Sequence, residues 1–284
     1  MANFRRVNAE AFATVFLSVD GNYMATLPTL FISHGSPMLA IQDSPARRFL
    51  TELGKTLPRP TAIVMMSAHW ESSGGPAVSM ATDLETIHDF GGFPPELFKI
   101  RYPAHGAPDV AEKVRQLLET AGYAVQVSYQ RGLDHGAWVP MMLMYPQADV
   151  PVFQISILRG ASAAQHERLG QALAALRDEN VLVIGSGSLT HNLHEFRGQE
   201  LDTPAPAWVS GFGNWMKEAL QKGKHDALLD YRRQAPAAER NHPTKEHLMP
   251  LFVAMGAAGR NAKATQLHSS YEYGILAMDV YQFE

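Results

Sequence analysis

The sequence predicts a single α/β domain in which a central, mostly parallel or mixed sheet is flanked by helices. Short apolar stretches rich in branched residues, such as 29–33, 62–67 and 181–185, alternate with longer segments of helical spacing. Strands that are apolar along their whole length are typical of a sheet covered on both faces. No linker-like change of composition divides the 284 residues, so we expect one domain.

Along the chain, a strand at 29–33 is followed by a helix at 46–55 that ends before Pro58, and then by a strand at 62–67. This order predicts a βαβ unit with two neighbouring parallel strands. Two loops rich in glycine and proline, 88–95 and 102–108, are expected to shape a pocket. Further helices are predicted at 109–121, 139–145, 164–177, 207–221, 225–231 and 247–256, and further strands at 124–129, 152–157 and 181–185, with a strand-like tail from residue 274.

Composition limits the classes of function. Apolar residues make up 46% of the chain, yet no apolar run approaches the roughly 20 residues that span a bilayer. The net charge of -4, without a cluster of lysine and arginine, argues against nucleic acid or a membrane as partner. Because the chain has no cysteine, a bound metal would need nitrogen and oxygen ligands. We therefore expect a cytoplasmic protein that acts on a small molecule.

Residues 1–27 are predicted to form a poorly ordered extension before the catalytic domain at 28–284. Arg5 and Arg6 precede an apolar stretch at 11–19, which faintly resembles a signal peptide. However, Glu10 interrupts that pattern and no small-residue cleavage site follows. Met24 is a plausible alternative start of the chain.

Four histidines stand where buried apolar stretches end or where a helix begins. His34, His69 and His191 follow three of the predicted strands, and His247 precedes a predicted helix. Ligands of open α/β sheets bind beyond the carboxyl ends of the strands. A single histidine at such a position is usually structural, but several converging imidazoles can hold a divalent metal ion. The pattern therefore predicts a metal centre.

Two assignments at this centre stay open from the residues alone. His191 can be a metal ligand or a general acid and base, because both roles demand the same location. Glu246 and His247 are neighbours near a helix start, so their side chains diverge by roughly 100° and only one should face the metal. Two histidines and a carboxylate would suit a non-haem iron enzyme, whereas three or four histidines suit zinc and also iron.

Other histidines carry weaker predictions. His135 is expected to face a pocket, His88 and Asp89 are expected to orient a loop, and His242 can line the pocket or sit at a helix start. Ser186 lacks the Gly-x-Ser-x-Gly frame of a serine nucleophile, which disfavours a serine hydrolase. The five histidines without a supporting pattern are His105, His166, His194, His225 and His268.

A set of motifs in a fixed order resembles the class III extradiol ring-cleaving dioxygenases, specifically the 4,5-DOPA extradiol dioxygenase-like family. The resemblance runs from about Leu30 to the C-terminus. Its motifs are H-G-S-P-M at 34–38, S-A-H-W at 67–70, I-H-D-F-G-G-F-P at 87–94, Y-P-A at 102–104, D-H-G-A-W at 134–138, H-N-L at 191–193 and P-T-K-E-H-L-M-P-L at 243–251.

The resemblance implies one divalent metal ion bound by His34, His69 and His247, with His191 as a fourth ligand or as the acid and base. It also implies that His135 contacts substrate or oxygen. Fe²⁺ is the expected catalytic metal and Zn²⁺ is possible, while the partners are a small aromatic diol and O₂. Two alternatives on the same fold are a zinc-dependent hydrolase and a non-catalytic protein that binds a metal or ligand.

Overall fold

The computed structural model describes residues 26–284, which contain ten strands and nine α-helices. The strands are β1 Thr29–Ser33, β2 Ala62–Ser72, β3 Ala77–Ser79, β4 Gln126–Ser128, β5 Val152–Leu158, β6 Val181–Gly187, β7 Ala264–His268, β8 Tyr271–Glu272, β9 Leu276–Ala277 and β10 Val280–Phe283. The helices are α1 Pro45–Thr56, α2 Pro108–Thr120, α3 His135–Met144, α4 Ala163–Gln171, α5 Ala207–Gln221, α6 His225–Leu229, α7 Tyr231–Gln234, α8 Ala238–Asn241 and α9 Met249–Ala258.

Eight of the strands form one mixed sheet in the order β4-β3-β5-β2-β6-β1-β10-β7. The central strands β5, β2, β6 and β1 are parallel, whereas β10 and β7 run antiparallel at one side. Strand β3 pairs antiparallel with β5 on the other side. The predicted α/β fold with a mostly parallel or mixed sheet is confirmed.

Helices cover both faces of the sheet, which explains why the central strands are apolar throughout. On one face, α1 and α3 contribute Leu50, Trp138 and Met141 to a buried cluster. On the other face, α2, α4, α5 and α9 pack in a second cluster that includes Leu169 and Phe252. The carboxyl ends of the parallel strands remain uncovered by these layers and hold the pocket described below.

The order of the strands corrects one prediction. Strands β1 and β2 are joined by α1 as a βαβ unit, but they are not neighbours, because β6 pairs in parallel with both of them. The register places Val183 of β6 beside Thr29 of β1 and beside Val64 of β2. Strand β6, which lies more than 100 residues further along the chain, is thus inserted between β1 and β2. The local spacing of residues in the sequence does not reveal such an insertion.

Several boundaries also differ from those predicted. The single helix predicted at 164–177 is observed as two elements. Helix α4 ends at Gln171, and a separate 3-10 helix, Ala174–Glu179, follows it. Strand β2 runs past His69 to Ser72, with a shift of register against β5 between Ser67 and Glu71. The short strands β3 and β7 were not predicted, because three to five residues at the side of a sheet carry little periodic signal.

Most of the predicted N-terminal extension, 1–27, lies outside the described residues. Within the described part, Leu27 is buried and its N–H donates to the carbonyl of Arg177 over 3.1 Å. Among residues 26–284, no helix combines the length and the apolar character needed to cross a membrane. The cytoplasmic location stays a prediction.

Candidate active site

Three histidines meet at the carboxyl edge of the sheet and are called the donor cluster here: His34, His69 and His247. One nitrogen of each ring lies within 4.8 Å of the others. The Nε2 atoms of His34 and His69 are 3.1 Å apart. His34 and His247 are only 1% and 6% exposed, so both side chains are almost completely buried.

Backbone contacts at the end of β6 hold His34 and His247 together. The N–H of His34 donates to the carbonyl of Gly187 over 2.9 Å, and the N–H of Ser188 donates to the carbonyl of His247 over 2.8 Å. A Cβ at position 187 would lie 2.1 Å from that His247 carbonyl oxygen. Glycine is therefore required for the two segments to approach each other.

The tautomer of His34 is set by a chain of contacts that begins at a proline. Pro140 lies inside α3 and has no N–H, so the carbonyl of Gly136 loses its helical partner. The hydroxyl of Ser186 donates to this carbonyl and lies 3.0 Å from Nδ1 of His34. Because the serine proton is used, Nδ1 must donate to Ser186, which leaves the lone pair of His34 on Nε2.

The segment around His69 is tied to a buried carboxylate. Ser67 donates to Asp134 over 2.6 Å, and the same hydroxyl accepts from the N–H of His69 over 3.2 Å. The fully buried Asp134 also accepts from Arg131 over 2.6 Å and from Gln154 over 2.8 Å. These charge-assisted hydrogen bonds satisfy the carboxylate and fix the course of β2 at His69.

Close packing brings the start of α3 against the donor cluster. A Cβ at position 136 would lie 2.5 Å from the hydroxyl oxygen of Ser67 and 3.1 Å from Cε1 of His34. Only glycine leaves room there. The small residue after His135 thus allows a helix to begin directly against the histidines.

Glu246 and His247, which are neighbours in the sequence just before α9, take different positions at the site. His247 joins His34 and His69, with ring centroids 5.7 and 5.0 Å away. Glu246 lies 2.9 Å from Nδ1 of His247, which donates to it, and also accepts from Thr244. Among the candidate donor groups of residues 26–284, Glu246 belongs only to the group with His191 and His247 and not to the donor cluster, so the carboxylate lies behind His247. Its contact leaves the His247 lone pair on Nε2.

His191 lies beside the donor cluster. Its ring stacks on that of His247, with centroids 3.4 Å apart and planes 9° apart. It is not among the three histidines whose nitrogens lie within 4.8 Å of one another. Within residues 26–284, its ring makes no hydrogen bond to another residue. A ring so placed can exchange a proton with a molecule in the pocket.

His135 and Asp89 form the opposite side of the site. Nδ1 of His135 donates to Asp89 over 2.9 Å, and the ring centroid of His135 is 4.0 Å from that of His69. Asp89 also lies 3.3 Å from Nδ1 of His69. Burial acts to raise the pKa of Asp89, but the side-chain and backbone hydrogen bonds from His135 and the electrostatic effect of the neighbouring imidazoles together outweigh it and hold the pKa well below its usual range. Asp89 therefore orients two imidazoles as a carboxylate.

The pKa values of the site histidines are lowered. Burial, followed by the neighbouring imidazoles, lowers the pKa of His34 and of His247 well below the ordinary value. Burial also lowers the pKa of His69 and of His191 to about 4. At neutral pH these rings are uncharged and offer lone pairs to a cation.

The donor cluster opens into a pocket of about 570 Å³. His69, His135, His191 and His247 lie at its base together with Asp89. Its sides come from four loops and are called the apolar wall here, which comprises Pro37, Met38, Phe90, Phe93, Leu193, Phe196, Tyr273, Ile275 and Leu276. An apolar pocket with a few converging polar groups is typical of a site for a small organic ligand.

Other predicted residues fall into place around the site. His242 does not line the pocket: it is fully buried at the end of α8, where its ring lies 2.8 Å from the carbonyl of Leu189. His88 contacts the carbonyl of Ile100 and holds its loop, as predicted. Asp89 does more than orient a loop, because it contacts two site histidines directly. The five histidines without a supporting pattern lie outside the three donor groups of residues 26–284.

Of the two loops predicted to shape a pocket, 88–95 lines it through Phe90 and Phe93, whereas 102–108 does not. Sequence reasoning missed the positioning role of Ser186 and the rest of the apolar wall. Ser186 was considered only as a nucleophile, whereas its hydroxyl contacts His34. Pro140, four residues after Gly136 in a helical segment, was an available signal that a carbonyl is left free.

Comparison with known proteins gives the family. Residues 28–281 match the family described as the catalytic LigB subunit of aromatic ring-opening dioxygenase. The chain belongs to this family. A relative from Beta vulgaris, named 4,5-DOPA dioxygenase extradiol, is 45% identical over 90% of this chain and 96% of its own length. A relative of the same name from Escherichia coli (strain K12) is 39% identical over 89% of this chain and 93% of its own length.

A solved structure agrees with the fold. The crystal structure of an uncharacterized protein from Escherichia coli K12 has a TM-score of 0.77 and 34% identity, and the match covers 91% of this chain and all of that one. The prediction of an extradiol ring-opening enzyme that uses O₂ on a catechol is confirmed through the family. Family membership also implies a metal ion, with which the donor cluster is compatible, and disfavours the hydrolase and the non-catalytic alternative.

Proposed function

We propose that this dioxygenase opens a catechol ring at one metal ion held by His34, His69 and His247. The observation that carries the proposal is the donor cluster itself: three uncharged imidazoles converge at the base of an apolar pocket. Two of them have their lone pairs directed to Nε2 by Ser186 and Glu246. Such second contacts are typical of histidines that bind a metal.

The spacing of the nitrogens supports the same proposal. Two nitrogens that bind one ion at about 2.1 Å lie about 3.0 to 3.4 Å apart in right-angled or tetrahedral arrangements. The observed 3.1 Å between Nε2 of His34 and Nε2 of His69 lies in that range. Without a cation, two facing lone pairs at this distance would repel each other. The donor set therefore fits a divalent ion.

We propose Fe²⁺ as the catalytic metal. Nitrogen donors accept iron and zinc alike, but ring opening consumes O₂, and Zn²⁺ has no redox chemistry. When bound, the ion would bring the diol and O₂ together and stabilise negative charge that develops on oxygen.

His191 is proposed as the base that accepts a proton from a catechol hydroxyl. Its ring is uncharged at neutral pH and free of hydrogen bonds to other residues in 26–284. The negative charge of Glu246 acts to raise the pKa of His191 and would favour its protonated form. Its donor atom lies within 4.8 Å of those of Glu246 and His247 but outside the group of His34, His69 and His247, which supports the role of a base beside the metal. General acid and base groups contribute typically 10²- to 10⁴-fold, so about a hundredfold or more is expected here.

His135 is proposed to contact substrate or oxygen. Because its Nδ1–H donates to Asp89, its Nε2 is the nitrogen left for a molecule in the pocket.

The catechol is proposed to be DOPA-like, since relatives at 45% and 39% identity carry 4,5-DOPA dioxygenase extradiol as their name. The direct experiment is to prepare metal-free protein, load it anaerobically with Fe²⁺ or Zn²⁺, and add unsubstituted catechol, DOPA and other substituted catechols. Air is then admitted while O₂ uptake and product colour are followed. Iron-dependent uptake with a yellow product is expected. Equal inactivity of both metal forms on every catechol would contradict the proposal.

A further inference from the structure

The pocket contains two hydroxyl groups in addition to its histidines and Asp89. Among residues 26–284, no lysine or arginine lines the pocket, and Ser36 and Tyr273 are the lining residues that carry a hydroxyl. Both are half-buried. Asp89 already accepts from the backbone N–H and from Nδ1 of His135. A charged side chain on the catechol therefore has to be held by uncharged groups, for which the two hydroxyls are available.

The hydroxyl of Ser36 has an unused proton. Ser36 lies two residues after His34 and caps the 3-10 helix Pro37–Ala40, where its oxygen accepts from the N–H of Met38 over 3.2 Å. In the described part of the chain, this is the one hydrogen bond of that hydroxyl. A serine hydroxyl has one proton and two lone pairs. The proton of Ser36 is thus free for an acceptor in the pocket.

The hydroxyl of Tyr273 offers the opposite group. It donates to the side-chain carbonyl of Gln42 over 2.7 Å, so its proton is used and a lone pair of its oxygen remains. The backbone of Tyr273 has a φ of 54°, in the left-handed region that bulky residues rarely adopt. Strained residues of this kind cluster at ligand sites. A tyrosine at this position therefore points to a role for its side chain.

The two hydroxyls belong to segments that pack against each other. A Cβ at position 35 would lie 3.6 Å from a carboxylate oxygen of Glu272, so the residues just before Ser36 and Tyr273 are close together. Gln42, which accepts from Tyr273, follows Ser36 in the same segment. Glu272 is itself buried and does not line the pocket. The free proton and the free lone pair thus lie on the same side of the pocket.

We propose that Ser36 and Tyr273 are specificity-determining residues that hold an α-amino acid group on the side chain of the catechol. Ser36 donates to the carboxylate, and Tyr273 accepts from the ammonium. The inference rests on the proposed function and assigns residues to the DOPA-like part of the substrate. An amino acid group carries both charges at neutral pH, and one donor and one acceptor satisfy both of them. Because both residues are half-buried, each hydrogen bond contributes modestly.

The test uses four catechols that differ in the charges of the side chain. DOPA carries both charges, dopamine only the ammonium, 3-(3,4-dihydroxyphenyl)propionate only the carboxylate, and 4-propylcatechol neither. Calorimetry with the Zn²⁺-loaded protein gives each affinity relative to that for 4-propylcatechol. Ser36→Ala should lower the relative affinity for DOPA and for the propionate by about three- to tenfold, but not that for dopamine. Tyr273→Phe should lower it for DOPA and for dopamine by a similar factor, but not for the propionate.

Two further variants separate recognition of charge from damage to the pocket. Ser36→Thr keeps the hydroxyl and the helix cap, so it should keep the relative affinities of the unchanged protein. Tyr129→Phe removes a hydroxyl from a side chain that is 75% exposed outside the pocket, and it should also keep them. Equal changes for dopamine and the propionate in both Ser36→Ala and Tyr273→Phe would overturn the inference, because a disturbed pocket does not distinguish the two charges. Unchanged relative affinities in both variants would overturn it as well.

A separate measurement distinguishes this inference from the proposed function. Unsubstituted catechol has no side chain, so failure of the Fe²⁺-loaded protein to open it would count against the proposed function alone. The affinities of the Zn²⁺-loaded variants would still decide the roles of Ser36 and Tyr273. Opening of unsubstituted catechol together with unchanged relative affinities in both variants would overturn this inference alone.

Discussion

The donor cluster and the apolar wall share one pocket but are held in different ways. His34 and His247 are almost completely buried, and each has its ring fixed by a contact to Nδ1. Leu193 and Phe196 of the wall are 59% and 45% exposed and lie in a loop after β6. The cluster thus depends on the parallel strands, whereas the wall depends on surface loops.

This difference indicates that metal binding and the choice of catechol depend on separate parts of the pocket. A change in the donor cluster disturbs groups whose positions are fixed by packing on all sides, so it should affect metal binding first. A change in the wall replaces a partly exposed side chain, so it should affect which catechol binds while the metal stays. Variants on the two sides should therefore fail in different measurements.

The largest effect is expected for His34→Ala. Loss of one of three donors should remove the metal and lower kcat/KM at least about a thousandfold, since the metal supplies both positioning and charge stabilisation. Metal content after dialysis and O₂ uptake are measured together. His268→Ala is the control, because His268 stacks on Phe49 outside the site and its loss should leave the metal in place. Full metal content in His34→Ala would remove His34 from the ligand set.

For His191→Gln, which changes the histidine beside the donor cluster, we expect a result different from that of His34→Ala. This variant should keep its metal but lose kcat by about a hundredfold or more, the usual contribution of a general base. A pH–rate profile is measured in parallel. The limb of the profile in which the rate falls as the base becomes protonated should disappear in the variant. Strong loss of metal would instead identify His191 as a fourth ligand and enlarge the donor cluster.

The donor cluster and the apolar wall also differ in how well the sequence predicts them, because one depends on strands and the other on surface loops. Strand β1 was predicted with its observed bounds, and the strand-end histidines with it, because a buried parallel strand has a continuous apolar pattern. Of the wall, only the loop at 88–95 was predicted to shape a pocket, and it supplies Phe90; Leu193 and Tyr273 come from separate segments that carry no periodic signal. Their convergence depends on the order of the strands.

Long-range packing also explains what was missed in the cluster. The insertion of β6 between β1 and β2 brings Ser186 to His34, and these residues are 152 positions apart. The carbonyl that orients Ser186 is free only because Pro140 lies in a helix elsewhere in the chain. Residue type predicted the candidate donors, but their supporting contacts required the three-dimensional arrangement.

An intermediate effect is expected for Ser186→Ala. Without the hydroxyl, Nδ1 of His34 loses its acceptor and the ring can adopt the tautomer that points a proton at the metal. The affinity for metal should fall by about ten- to a hundredfold, as for other contacts that orient a ligand. Competition with a chelator measures this affinity. Ser188→Ala is the matched control, because Ser188 is also buried at the end of β6 but donates to the carbonyl of Thr190. Equal losses in both variants would indicate general damage to the strand end.

The smallest effect is expected for Phe196→Ala in the apolar wall. Phe196 is half exposed, so its partial contact with a side chain of the substrate is worth about 1 kcal/mol, or about fivefold in affinity. KM for 4-propylcatechol should rise by about that factor, KM for unsubstituted catechol should change less, and metal content should stay the same. Steady-state kinetics with both catechols measure the contrast. Loss of metal in Phe196→Ala would contradict the separation of the two regions, because it would mean that the loop carrying the wall also holds the donor cluster in place.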